Sequence, residues 1–270
     1  MTKKLLSTPF LIWIVAGTVI PLLVIAYYGF TDRSGAFTIE NIIAIFGTEH
    51  AKALGLSLLL AAISTVVCFL LAYPLALILK GAKHGREGFI IFIFILPMWM
   101  NFLLRTMAWQ VLLEKGGFLN NFLEMINLPP LEIINTPSAV VLGMVYDFLP
   151  FMVLPIYNTL VKIDHSIVEA AYDLGASKAN VLFKILLPLS VPGIASGVTM
   201  VFVPSLTTFV ISNMLGGGKI NLIGNIIEQE FTVSSNWNLG AGLSLVMMIF
   251  IVLSMALLTK YDKDGEGAML

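Results

Sequence analysis

The chain has 270 residues, 58% of them hydrophobic and only 11% charged, with a formal net charge of −1 and a mean hydropathy of +0.95. This excludes an ordinary soluble domain, and it excludes the concentrated basic surface that nucleic-acid binding requires. The apolar runs are long enough for helices that satisfy their own backbone groups in a bilayer, so the sequence reads as one all-α integral membrane domain over residues 1–270.

Six spans are predicted, at about 9–30, 53–79, 88–113, 138–160, 191–215 and 239–259. Lys3 and Lys4 ahead of an apolar stretch also suit a secretory signal peptide. No charge appears from Leu5 to Thr31, however, and Tyr27-Tyr28-Gly29-Phe30 is unlike a small-residue cleavage site, so an uncleaved first span is expected. Ile39, Ile42, Ile43, Ile45 and Phe46 recur at near-helical spacing and predict a short surface helix bracing the first two spans. Cys68, the single cysteine, falls in the second span; it precludes an intrachain disulfide and reads as packing.

In the third span Asn101, Arg105 and Trp109 lie four apart on one face, with Trp99 nearby. An aromatic and polar stripe suits a pathway wall, because an indole face attracts cations; interfacial anchoring or plain packing accounts for each aromatic equally well. Arg105 and Asp147 are the ionisable residues inside spans, and such residues are functional candidates by default. Both are expected in the outer half of the membrane, where either they pair or Asp147 faces the pathway and binds a cation. Phe209 and Asn213 in the fifth span complete the candidate pathway set. Gly216-Gly217-Gly218-Lys219 looks like part of a phosphate loop, but Asn213 and Ile220 stand where that signature needs glycine and Ser or Thr. No nucleotide site is expected on this chain.

Cytoplasmic flanks carry excess Lys and Arg. With the N-terminus inside, the inner segments hold ten: Lys3, Lys4, Lys80, Lys83, Arg86, Lys162, Lys178, Lys184, Lys260 and Lys263. The outer loops hold four, Arg33, Lys52, Lys115 and Lys219. Both termini and the loop at about 161–190 are then cytoplasmic.

That loop carries Glu169-Ala170-Ala171, then Gly175, Ile185 and Leu187-Pro188. Residues 164–178 are good helix formers, with Asp164 or Ser166 placed to cap the start and Gly175 to end the helix. Glu169 and Asp173 share a face beside Ala170, a surface of small bulk flanked by carboxylates that suits a helix seated in a groove. Gly175 then turns the chain into a second short helix ending at Leu187-Pro188.

The spacing resembles the EAA motif of permease subunits from ATP-binding-cassette importers. The resemblance implies a type I importer permease (MetI-like) architecture. It implies that Asp164, Glu169, Ala170, Ala171, Asp173, Leu174, Gly175 and Ala176 dock a cytoplasmic ATPase. Leu96-Pro97-Met98-Trp99 through Thr106, Gly117-Phe118-Leu119-Asn120, Leu149-Pro150-Phe151-Met152 and Leu222-Ile223-Gly224-Asn225 look like the B-type permease of spermidine/putrescine importers. That family implies a heterodimer with a second permease, two ATPase subunits that carry the ATP and Mg, and an extracytoplasmic polyamine-binding protein in a prokaryotic cell membrane. The chain itself is expected to be non-catalytic and to bind no cofactor or metal. A permease for another cationic or small organic solute is the first alternative, and an ATP-independent channel or transporter the second. A membrane enzyme is disfavoured, because His50, His84 and His165 fall in loops on differing sides.

Overall fold

The computed structural model describes residues 10–81, 92 and 96–259, and the regular secondary structure among these is helical, with one isolated antiparallel bridge between Thr31 and Phe37. The first span, α1, runs Phe10–Gly29 and includes a π-helical stretch at Val15–Val19. The expected surface helix is present as α2, Glu40–Ile43, continued by a 3₁₀ turn at Ala44–Phe46. The second span, α3, is 33 residues long at Thr48–Lys80, roughly 50 Å and so well beyond the apolar thickness of a bilayer. Pro137–Lys162 forms the fourth predicted span, α6, and Trp237–Thr259 the sixth, α12.

The third and fifth predicted spans are not single straight helices. Of 88–113, the described part is a 3₁₀ turn at Leu96–Trp99 followed by α4, Phe102–Leu113, a helix of 12 residues and too short to cross alone; residues 88–91 and 93–95 lie outside the described residues. The outer connection holds α5, Phe118–Met125. The fifth span runs as α9 over Val191–Thr207, breaks at Thr208 and Phe209, and resumes as α10 over Val210–Leu215. An outer helix α11, Ile223–Thr232, follows. Among the described residues four helices are long and apolar enough to cross, or five if Lys178–Leu189 and Val191–Thr207, bent by 66°, count as one span.

α3, α6 and α9 pack against one another as the core, and α12 packs on α1. Ala72, Ala76, Val140, Met144, Met152 and Ile156 are fully buried at the crossing. The closeness of α9 to α6 comes from Gly193 and Gly197, a small-xxx-small pair that lets helix backbones approach. A Cβ at Gly193 would lie 2.6 Å from the Pro155 carbonyl oxygen and would overlap Thr159 Oγ1. One at Gly197 would lie 2.7 Å from Met152 Sδ. The sequence reading did not single out these glycines.

Buried amides close the loops. Asn238 Nδ2 donates to the Thr31 carbonyl at 2.7 Å and to Tyr28 at 3.2 Å, and Asn41 Nδ2 donates to Thr31 at 2.9 Å, so α12 and α2 hold the end of α1. Asn120, 1% exposed, donates to the Glu114 carbonyl and accepts from Leu131 N at 2.7 Å, fixing α5 beneath its loop.

Gly193→Ala is expected to destabilise the chain by about 1–3 kcal/mol through overpacking. Gly55→Ala, at a site with nothing within 4 Å of the added Cβ, is expected to leave stability unchanged or slightly raised. Thermal unfolding of the two purified variants in detergent compares them, and equal midpoints would remove Gly193 from the packing account.

Candidate functional site

The EAA-like segment folds as a helical hairpin projecting from the core. Its first arm, α7, spans His165–Asp173, and Asp164 rather than Ser166 caps it by accepting from Ser166 N at 2.9 Å. That backbone hydrogen bond, with a lesser one from the Ser166 side chain, holds the Asp164 carboxyl below the usual range. The cap is therefore ionised at neutral pH, and its contribution is lost as pH falls through the lowered folded-state value.

Gly175 has φ +80° and ends α7 in a Schellman turn: Ala176 N donates to the Ala171 carbonyl and Gly175 N to the Tyr172 carbonyl, both at 2.9 Å. Hence the spacing from Ala171 to Gly175 is the spacing of a helix terminus. The second arm, α8, spans Lys178–Leu189, capped by Ser177 and containing a π-helical stretch at Leu182–Leu186. It ends one residue beyond the expected Leu187-Pro188, at Leu189. Pro188 sits inside it, and the chain bends at Ser190 directly into α9. Ser190 is buried and its hydroxyl lies 3.1 Å from the Tyr73 hydroxyl on α3, so the bend is pinned to the core.

Of the candidate docking residues, Asp164, Glu169, Ala170, Asp173, Leu174 and Gly175 are exposed. Leu174 stands out at 88% exposure at the tip of the hairpin. Ala176 is half-buried and Ala171 is buried. Ile167, Tyr172 and Phe183 are exposed apolar neighbours. Glu169 is paired with His165 across one helical turn at 3.0 Å, with both side chains largely in solvent.

The intramembrane charges do meet. Arg105 Nη2 lies 3.0 Å from Asp147 Oδ1, and the side chains are 8% and 2% exposed. The contact is Coulombic rather than a well-directed hydrogen bond, because Asp147 Oδ1 and Arg105 Nε lack hydrogen-bond partners. Thr106 Oγ1 donates to Asp147 Oδ2 at 3.4 Å. Arg105 Nη1 donates to the Pro97 carbonyl at 2.8 Å, which ties the turn before α4 to α6 through one guanidinium. Tyr146 sits 5.9 Å from the guanidinium carbon and stacks edge-on with Trp109.

The remaining pathway candidates divide. Asn101 caps α4, accepting from Leu103 N at 2.9 Å, so its side chain is engaged locally. Trp99 is 79% exposed with its ring against Phe92. Phe209 sits at the break of the fifth span and borders an apolar groove of about 480 Å³ with Glu228, Phe231, Met247 and Met248. Asn213 accepts from Asn225 Nδ2 at 2.7 Å. Asn225, fully buried, also donates to the Phe209 carbonyl at 3.1 Å and accepts from Leu222 N, so it ties the break to the start of α11. Sequence reasoning had Asn225 only as part of a short motif. The Pro97 carbonyl and Tyr146 carried no signal at all.

A larger cavity of about 940 Å³ lies between the hairpin-side halves of α6 and α9, bounded by Asp164 and Ile167 at one end and by Phe151, Met98 and Met200 at the other. Among the described residues there is no cluster of His, Cys, Asp and Glu able to hold a metal ion.

Residues 3–264 match the family described as binding-protein-dependent transport system inner membrane component. The chain is 35% identical over 249 residues to the spermidine/putrescine transport system permease protein PotB of Haemophilus influenzae, covering 89% of this chain and 87% of that one. It is 37% identical over 245 residues to the protein of the same description from Escherichia coli, covering 88% and 89%. In fold it resembles a chain of a bacterial ABC transporter involved in the import of alginate, with a TM-score of 0.80 over 97% of this chain and 96% of that one at 16% identity. This protein is therefore a member of the family of inner-membrane components of binding-protein-dependent transport systems, a non-catalytic ABC permease subunit.

Proposed function

We propose that the chain is one half of the translocation pathway of an ATP-driven polyamine importer, coupled through α7 and the Gly175 turn to a cytoplasmic ATPase. The observation that carries the coupling is the exposed hairpin, whose tip offers Leu174 and whose second arm joins a core helix through a single bent residue, Ser190. The cargo is supported by the identity to spermidine/putrescine permeases along nearly the whole chain. The ten-to-four asymmetry of Lys and Arg supports an orientation with both termini and the hairpin in the cytoplasm. ATP and Mg then belong to two ATPase partners, with a second permease and an extracytoplasmic binding protein completing the assembly.

Within this reading Trp99 and Phe209, partly exposed beside breaks in the third and fifth spans, are the aromatic surfaces offered to cargo. Arg105 and Asp147 are tied to each other and hold the frame. Asn101 and Asn213 present only what their caps and amide bonds leave free.

Three outcomes follow. Gly175→Val forces a β-branched residue into a left-handed backbone at a cost of about 1–3 kcal/mol, and Glu169→Lys reverses the charge beside Ala170. Both are expected to insert normally while losing co-purification of the ATPase, and undiminished co-purification with both would sink the docking role. Asp147→Asn leaves Arg105 without its counter-charge and is expected to cost about 3–5 kcal/mol, whereas Arg105→Met with Asp147→Leu recovers most of it. Thermal unfolding in detergent reads that difference, and a double variant no better than the single one would contradict the pairing account. Finally, labelled spermidine and putrescine should enter proteoliposomes containing the complete complex only with ATP; equal uptake without ATP would reject the importer mechanism.

A further inference from the structure

We propose that the Leu96–Trp99 turn closes the deep end of the hairpin-side cavity with Met98, and that Arg105 is the positioning residue that holds this closure against α6.

The cavity follows α6 from Lys162 back to Phe151, eleven residues or roughly 17 Å, about the distance from a membrane surface to mid-bilayer. Its wide end meets the docking hairpin at Asp164 and Ile167, and its deep end stops at Phe151, Met98 and Met200. Met98 is the one contribution among the described residues from the third span, and it comes from a 3₁₀ turn rather than a helix. The next helix starts afresh at its own Asn101 cap, so the turn is set off from it. Inside the turn Met100 N donates to the Pro97 carbonyl at 3.2 Å. A second hydrogen bond to that carbonyl, from Arg105 Nη1, comes from the following helix.

Arg105 then reaches α6 at Asp147, one helical turn from Phe151. A single guanidinium thus fastens the turn that carries Met98 to the helix that forms the opposite wall. Its fork suits the task, because two nitrogens a fixed distance apart serve the carbonyl and the carboxylate together. A lysine ammonium is one compact charge on a flexible stem. An unbranched thioether is also a suitable stopper for a closure that must repack as the helices move. The position of the closure rests on geometry alone; that it opens in the transport cycle rests on the proposed ATP-driven function.

The test uses the complete complex in inverted vesicles, with Met98→Cys in a Cys68→Ala background and a charged, membrane-impermeant thiol reagent, this chain's labelling being read by mass. Without nucleotide, Met98→Cys is expected to react from the hairpin side. Adding Arg105→Lys, which keeps the charge opposite Asp147 but releases the Pro97 carbonyl, is expected to change that rate about tenfold. A merely structural arginine would alter the yield of complex and not the rate per assembled complex. Separately, Met98→Trp is expected to lower uptake about tenfold while the ATPase still co-purifies, and this variant leaves the Arg105 contacts in place should Arg105→Lys fail to assemble. No reaction at Met98→Cys, equal rates with and without Arg105→Lys, or full uptake by Met98→Trp would each overturn the proposal. A rate that responds to Arg105→Lys but not to trapping with ATP would leave the closure standing and count against ATP coupling instead.

Discussion

The structure depends on one constraint: inside a bilayer no water is available, so every backbone group released by a helix break must find a partner within the protein. Two of the spans break, and at each break a side chain donates to a backbone carbonyl beside a local backbone bond. At Thr208 and Phe209 that side chain is Asn225, which donates to the Phe209 carbonyl beside the helical bond that carbonyl accepts from Asn213 N. At the turn before α4 it is Arg105, donating to the Pro97 carbonyl. Arginine at that depth is costly and needs a counter-charge, which accounts for a buried Asp147 on the facing helix.

The breaks matter because of what they sit between. α8 and α9 form one bent rod, pinned at Ser190 by Tyr73 and packed tightly on α6 through Gly193 and Gly197. A displacement of the hairpin is therefore carried into the core as a rigid movement, since helix crossings this close have little room to shear. The spans that break lie at the far end of that rod and beside the cavity it borders. Rigidity next to the hairpin and discontinuity deeper in the membrane is an arrangement in which a push at the surface is resolved at the weak points.

Much of this was legible in the residues. Apolar length located α1, α3, α6 and α12 to within a few residues, because lipid imposes both composition and length on a straight span. The Asp164 cap and the Gly175 turn were legible because each needs a particular residue type at a particular place. The breaks were not. The fifth span breaks four residues after Pro204, where Gly224 approaches so closely that a Cβ would lie 2.7 Å from the Thr207 carbonyl oxygen. That contact joins residues far apart in sequence, and hydropathy has no access to it. The Arg105 pairing was legible only as one of two alternatives, since matched depth does not fix which way two side chains face. Ala171 is buried, and its carbonyl serves the terminus of α7, a role that spacing alone does not assign.

The fate of Asp147 bears on the proposed cargo. A polyamine carries several positive charges and crosses low dielectric only where carboxylates, carbonyl oxygens or aromatic faces replace its water. Asp147 already faces a guanidinium, so little of its charge is left to offer. What this chain presents beside its breaks is aromatic, Trp99 and Phe209, with Glu228 at the rim of the apolar groove beyond the second. A path walled this way guides a cation weakly along its length, which suits transit better than retention. On the proposed assembly, strong recognition then falls to an extracytoplasmic binding protein and a second permease, whose carboxylates would make up the balance of charge.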